Sequence, residues 1–217
     1  VDLIAAVRGE REGTAAAARG QRILGMLSSL GVPAVAAIDG ACLGGGAELA
    51  CWCTARVATL DDRTRIGFPE ILLGIVPGFG GTQRLPPLVG LMPALELITT
   101  GRQLGPLDAL RIGLVDSVVE REHLMPAAAA LVERSLSGRL ARRRHWSCLP
   151  VVRDGVARAA RREALAATRG QYPAAPEAVR LARRALSAEP SEGLAEEASA
   201  LGRLLAGSVS QSLLHLY

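Results

Sequence analysis

Three consecutive glycines, Gly44 to Gly46 within "ACLGGGAELA" (Ala41 to Ala50), constrain this chain more than any other feature. Glycine costs backbone entropy, so a run of it belongs where the chain turns tightly or where another group must come close. Before it stands a short apolar run, Ala34 to Ile38, which reads as a buried strand. After it, Gly46 to Cys53 reads as a short helix.

The same punctuation recurs. Glu12 to Leu30 has helical spacing and is stopped by Gly31 and Pro33. Ala55 to Thr59 reads as a strand, Asp61 to Thr64 as a turn and Arg65 to Phe68 as extended. The glycine-rich "GIVPGFGGTQRL" runs into a helix that starts near Gly81. Further helices are expected around Pro93 to Thr100 and Pro106 to Ile112, then a strand over Leu114 to Val119. From Arg121 onward the pattern is helical, broken near Trp146 to Pro150, Tyr172 to Pro176 and Pro190. Strands alternating with helices, then helices alone, predict an α/β fold with a helical tail. The expected organisation is a core over 1–120 and a helical region over 121–217.

Composition narrows the function classes. Of 217 residues, 49% are hydrophobic and only 3% aromatic, so the core is built from Ala, Leu, Val and Ile. No run reaches the roughly 18 apolar residues of a membrane helix. No basic-then-apolar leader opens the chain, and a soluble, cytoplasmic protein is expected. All 25 basic residues are Arg, and Lys and Asn are both missing. Codons for those two residues begin with AA, which points to a GC-rich, bacterial genome. Without Lys, Walker A loops and Schiff-base chemistry are excluded. The four cysteines (Cys42, Cys51, Cys53 and Cys148) lack disulfide-framework or zinc spacing and read as buried free thiols. No metal site is expected. Thirteen Arg against three acids between Arg134 and Arg184 make a basic stretch. With no aromatic interleaving, it reads as a solvated helix face rather than a nucleic-acid surface.

Two acids stand in apolar surroundings. Glu48 falls in the first turn after the glycines, where the helix dipole favours a carboxylate even without function. Glu70, in "GFPEILLG", follows a strand and a Pro. If the two converge in a dry pocket, they repel, one pKa rises, and an acid–base pair results. The glycines suit a tight strand-to-helix crossing and an anion or oxyanion site equally well. "GFGGTQ" lacks the third glycine of a dinucleotide fingerprint, and neither G-x-S-x-G nor H-E-x-x-H occurs.

Three stretches together resemble a known family: "VPAVAAIDGACLGGGAELA", "TRIGFPEILLGIVPGFGGTQRLPPLVG" and "ALELITTGRQLGPLDALRIGLVDSVV" are similar to the crotonases, the enoyl-CoA hydratases and isomerases. The resemblance runs from the first residues to about residue 120. The 22-residue step from Glu48 to Glu70 resembles the hydratase part of multifunctional fatty-acid oxidation proteins. The tail stretches "ALAATRGQYPAAPEAVRLA" and "GLAEEASALGRLLAGSVSQSLLHLY" resemble the helices that lead to their 3-hydroxyacyl-CoA dehydrogenase part.

The resemblance implies a crotonase-like spiral of ββα turns with terminal helices. It also implies syn addition of water across the 2,3 double bond of an enoyl-CoA in β-oxidation. By position, the Gly45 N–H binds the thioester oxygen, Glu48 orients and deprotonates the water, and Glu70 supplies the proton to Cα. The second oxyanion donor falls at Val1. Coenzyme A, part of the substrate rather than a cofactor, runs along Val1, Asp2, Leu3 and Ile4. The acyl chain passes Leu43, Gly46 and the "PGFGG" loop with Gly78, and Gly44 and Pro69 are further substrate-binding positions. The implied partners are an acyl-CoA thioester and a 3-hydroxyacyl-CoA dehydrogenase part or subunit. The family's first strands are missing before Val1, so the chain is expected to be a piece of a longer product. A 3,2-enoyl-CoA isomerase and a catalytically silent scaffold are the alternatives.

Overall fold

The structure is a computed structural model and describes residues 9–140 and 145–216. A long helix α1 (Glu10–Ser29) leads into β1 (Val35–Ile38), β2 (Ala41–Leu43) and α2 (Gly45–Trp52). There follow β3 (Ala55–Thr59), β4 (Arg65–Gly67) and a 3₁₀ turn over Pro69–Leu73. Helices α3 (Gly81–Val89) and α4 (Leu91–Thr100) precede β5 (Gln103–Leu104), α5 (Pro106–Ile112) and β6 (Ser117–Val119). The helical region comprises α6 (Leu124–Leu136), α7 (Pro150–Thr168), α8 (Ala174–Arg184), α9 (Pro190–Leu205) and α10 (Ser208–Leu214).

The strands divide between two sheets. In one, β1, β3 and β6 run parallel, with Val35 opposite Ala55 and Val57 opposite Ser117. In the other, β4 lies between parallel β2 and antiparallel β5. The chain therefore steps from the first sheet to the second twice, at Asp39–Gly40 and across residues 60–64. The two corners are fastened to each other: the Thr59 hydroxyl lies 2.8 Å from that of Thr64 and donates to Asp39 at 3.1 Å, while the Gly40 N–H donates to Thr64 Oγ1 at 3.0 Å.

Strand β3 is the centre of its sheet and is buried at all five positions, which is why it reads as an unbroken run rather than an alternating one. Its side chains still alternate. Ala55 and Val57 pack on Leu124, Ala128 and Leu131 of α6, whereas Ala58 faces the main core with Phe68, Leu85, Leu97, Leu181 and Leu201. Arg56 is 1% exposed and fully used. Its Nε donates to Leu114 O (2.7 Å), its Nη1 to Cys53 O and Ala50 O (3.0 and 3.3 Å), and its Nη2 to Asp116 (3.2 Å). It thereby satisfies carbonyls at the end of α2 and ties that helix to the start of β6.

Most expected elements are present, with boundaries shifted by a residue or two. Three differences have physical causes. Strand β2 occupies Ala41–Leu43, immediately before the glycines, and β5 is a two-residue strand; both are too short to carry a period and exist through pairing with β4. The final strand is shorter than expected, because Leu114 and Val115 are buried in the turn after α5 and only Ser117–Val119 pair. The residue after Phe68 opens a 3₁₀ turn, with Pro69 supplying the fixed φ of its first position.

Candidate active site

The site is built around the junction of β2, α2 and the segment after β4. Gly44 caps α2 with φ 55, a left-handed value that only glycine adopts freely. Its N–H donates to Gly67 O at 3.0 Å, and its carbonyl takes the first helical bond from Glu48 N at 2.9 Å. A Cβ at Gly44 would stand 3.1 Å from Glu70 Oε1. The absent side chain is therefore what lets the Glu70 carboxylate lie against the start of α2. Gly45 and Gly46 are exposed. The Gly45 N–H belongs to the first turn of α2, whose amides have no partner within the helix.

Glu48 is 2% exposed. Its Oε1 accepts the N–H groups of Phe79 at 2.7 Å and of Gly81 at 2.8 Å, so it bridges to the glycine-rich loop ahead of α3. Burial, and after it the charges of Glu70 and Glu197, hold its carboxyl well above the ordinary carboxylate range; the two N–H bonds act the other way. Glu70 sits in the 3₁₀ turn with Oε2 buried and without a hydrogen-bond partner. Burial pushes its pKa up to about 7. The turn that carries it is held by Tyr172, whose hydroxyl donates to Ile71 O from the helical region.

The remaining expected positions fall as follows. Leu43 and Pro69 are half-buried and flank Gly44 and Glu70 in sequence. Gly46 lines an open groove of about 510 Å³ with Leu27, Ile38, Cys42, Leu49 and Cys53. Gly78 is buried beneath Leu201 of α9, and its carbonyl accepts from Gln21 at 3.0 Å. Val1, Asp2, Leu3 and Ile4 lie outside the described residues. Among the described residues all four cysteines are free, and burial pushes Cys42 up to about 11 and Cys51 to about 12. No group of three or more His, Cys, Asp or Glu capable of holding a metal gathers among the described residues.

The sequence reading missed a further acid, buried close to these two. Glu197, on α9, is 0% exposed. It accepts from Gly80 N (2.6 Å), Gln21 Nε2 (3.0 Å), Thr82 N (2.8 Å) and Thr82 Oγ1 (2.5 Å). Its signal was present in the sequence. Leu194, Glu197, Ala198 and Leu201 follow helical spacing, so the acid stands in the apolar stripe while Glu196 faces outward.

Two carboxylates brought to one glycine turn, beside unpartnered helix-entrance amides, suit proton transfer next to a developing oxyanion. A family model described as enoyl-CoA hydratase/isomerase matches residues 1–147. The chain belongs to this enoyl-CoA hydratase/isomerase family, the crotonases, and has its α/β fold. Among solved structures it is similar to an enoyl-CoA hydratase from Bacillus anthracis, with 30% identity, a TM-score of 0.55 and coverage of 94% of this chain and 66% of that one. It is similar also to an enoyl-CoA hydratase from Geobacillus kaustophilus (33% identity, TM-score 0.51, 56% and 45% covered) and to Pseudomonas aeruginosa DspI (33%, 0.54, 58% and 51%). The chain thus matches about half to two thirds of the length of these relatives.

Proposed function

We propose that the protein is a 2-enoyl-CoA hydratase that adds water across the 2,3 double bond of an enoyl-CoA thioester. The observation that carries this reading is the placement of two acids of different surroundings, the buried Glu48 and the half-buried Glu70, at the turn around Gly44. Glu48 has one oxygen fixed by two backbone N–H groups. Glu70 has a buried oxygen with no partner and a pKa raised to about 7. A hydratase needs both a base for water and an acid for Cα, and a group that titrates near neutral pH serves either task. In the forward step the water oxygen bonds to Cβ and its proton passes to Glu48. The π electrons move toward the thioester oxygen, where the Gly45 N–H receives the charge. Collapse of that enolate takes a proton from Glu70 onto Cα, and the 3-hydroxyacyl-CoA is complete.

The helix-entrance geometry supports Gly45 as one oxyanion donor; the family resemblance alone assigns Val1 as the second donor and the segment to Ile4 as the CoA track. The open groove at Gly46 suits an apolar acyl chain. Beyond the site, we place the chain in bacterial fatty-acid β-oxidation, working with a 3-hydroxyacyl-CoA dehydrogenase part or subunit that consumes its product.

The test is loss of the conjugated-thioester absorbance of crotonyl-CoA on the complete protein. Glu48→Gln and Glu70→Gln are each expected to lower kcat by about 10² to 10⁴. Full activity in either variant overturns the assignment. Turnover of a 3-enoyl-CoA without hydration of crotonyl-CoA would instead make the protein an isomerase.

A further inference from the structure

Glu197 takes no part in the reaction just described, yet it is wired to the residue that does. Four consecutive amides at the entrance of α3 alternate between two acids. Phe79 and Gly81 donate to Glu48, and Gly80 and Thr82 donate to Glu197. The alternation is possible because Gly80 is left-handed, with φ 107, and turns successive N–H groups to opposite sides. The loop is thereby clamped between a helix of the core and a helix of the C-terminal region. Gln21 of α1 closes the clamp from behind, donating to Glu197, Gly78 O and Leu194 O, each at 3.0 Å.

A buried carboxylate is costly to desolvate, and here four donors offset that cost; an apolar side chain at this position would leave all four without this acceptor. What an apolar replacement cannot do is fix the direction of two amides. We propose that Glu197 is a positioning residue for Glu48: by holding Gly80 and Thr82, it aims the Phe79 and Gly81 amides that fix Glu48 Oε1 and turn Oε2 toward the reacting water. The kinetic consequence rests on the hydratase reading; the structural consequence does not.

The experiment separates the two. In the full chain, amide exchange at Phe79 and Gly81 is followed by NMR in the wild type, Glu197→Gln and the neighbouring control Glu196→Gln. The Gln side chain keeps the size of Glu but sets an NH₂ against a backbone N–H. Faster exchange is expected at Phe79 and Gly81, which Glu197 does not touch, and none at these positions in the control. With crotonyl-CoA, kcat is expected to fall about ten-fold or more at nearly constant KM, as for a misaimed catalytic group. Thr82→Val, which removes the hydroxyl's bonds to Glu197 and from Gln83 Nε2 but keeps the Thr82 N–H on Glu197, should move the same amides less far and covers the case in which Glu197→Gln does not fold. A lower melting temperature with unchanged exchange at Phe79 and Gly81, in whichever variant folds, overturns the inference. If the wild type hydrates no enoyl-CoA, the hydratase reading falls while the exchange result still decides the role of Glu197.

Discussion

At the scale of single residues, Gly44 joins two requirements that the sequence kept apart. It must be left-handed to turn β2 into α2, and it must lack a Cβ to admit the Glu70 carboxylate. Gly44→Ala therefore meets both penalties. The left-handed backbone alone costs about 1–2 kcal/mol, and the new methyl would push Glu70 away from the turn. The expected outcome is a loss of stability of that size in urea titration, together with a fall in hydration rate larger than the same destabilisation causes at a remote site. An equal rate in a folded Gly44→Ala protein would show that the contact with Glu70 does not matter. The sequence alone left these glycines balanced between a tight crossing and an anion site; the positive φ shows that the first is real, and the neighbouring acid gives the second its chemistry.

At the scale of elements, legibility followed length. Helices of ten residues or more, and the fully buried β3, declared themselves through period and punctuation. Strands β2 and β5 did not, because two or three residues carry no pattern and their partners lie 24 or more positions away. Buried polar residues were the other blind spot. Arg56 reads as a surface residue, and its burial follows only from β3 being central and from carbonyls converging at the ends of α2 and α5. Asp116 Oδ2 accepts from both the Arg56 N–H and its guanidinium. Arg56→Ala would leave that carboxylate and three carbonyls short of donors. A destabilisation of about 3–5 kcal/mol is expected from breaking so buried a pair, measured by thermal melting. A change below about 1 kcal/mol would mean that water replaces the guanidinium without loss.

At the scale of the whole molecule, charge is sorted by depth. The basic stretch read from the sequence is partly neutralised within the helical region. Arg183 pairs with Asp154, Arg184 with Glu192 and Glu196, and Arg180 and Arg203 with Glu177. Three acids (the buried Glu48 and Glu197 and the half-buried Glu70) instead gather at the core, with no cation paired to them among the described residues. Such a cluster gives stability an unusual dependence on pH. Glu70 titrates near 7 in the folded state, against about 4.3 in an unfolded chain. Between those values the folded protein binds more protons than the unfolded one, so stability falls as pH rises. The contribution is complete below about pH 4.3 and lost as pH passes 7, and one such group is worth on the order of 3 kcal/mol. Raised values for Glu48 and Glu197 add in the same direction. The melting temperature is therefore expected to fall between pH 5 and pH 8. Glu70→Gln should flatten that slope and exceed the wild type at pH 8 while resembling it at pH 5. A wild-type melting temperature that is level or rising over this range, or a Glu70→Gln variant with an unaltered slope, would show that Glu70 is ionised throughout and is not the acid that protonates Cα.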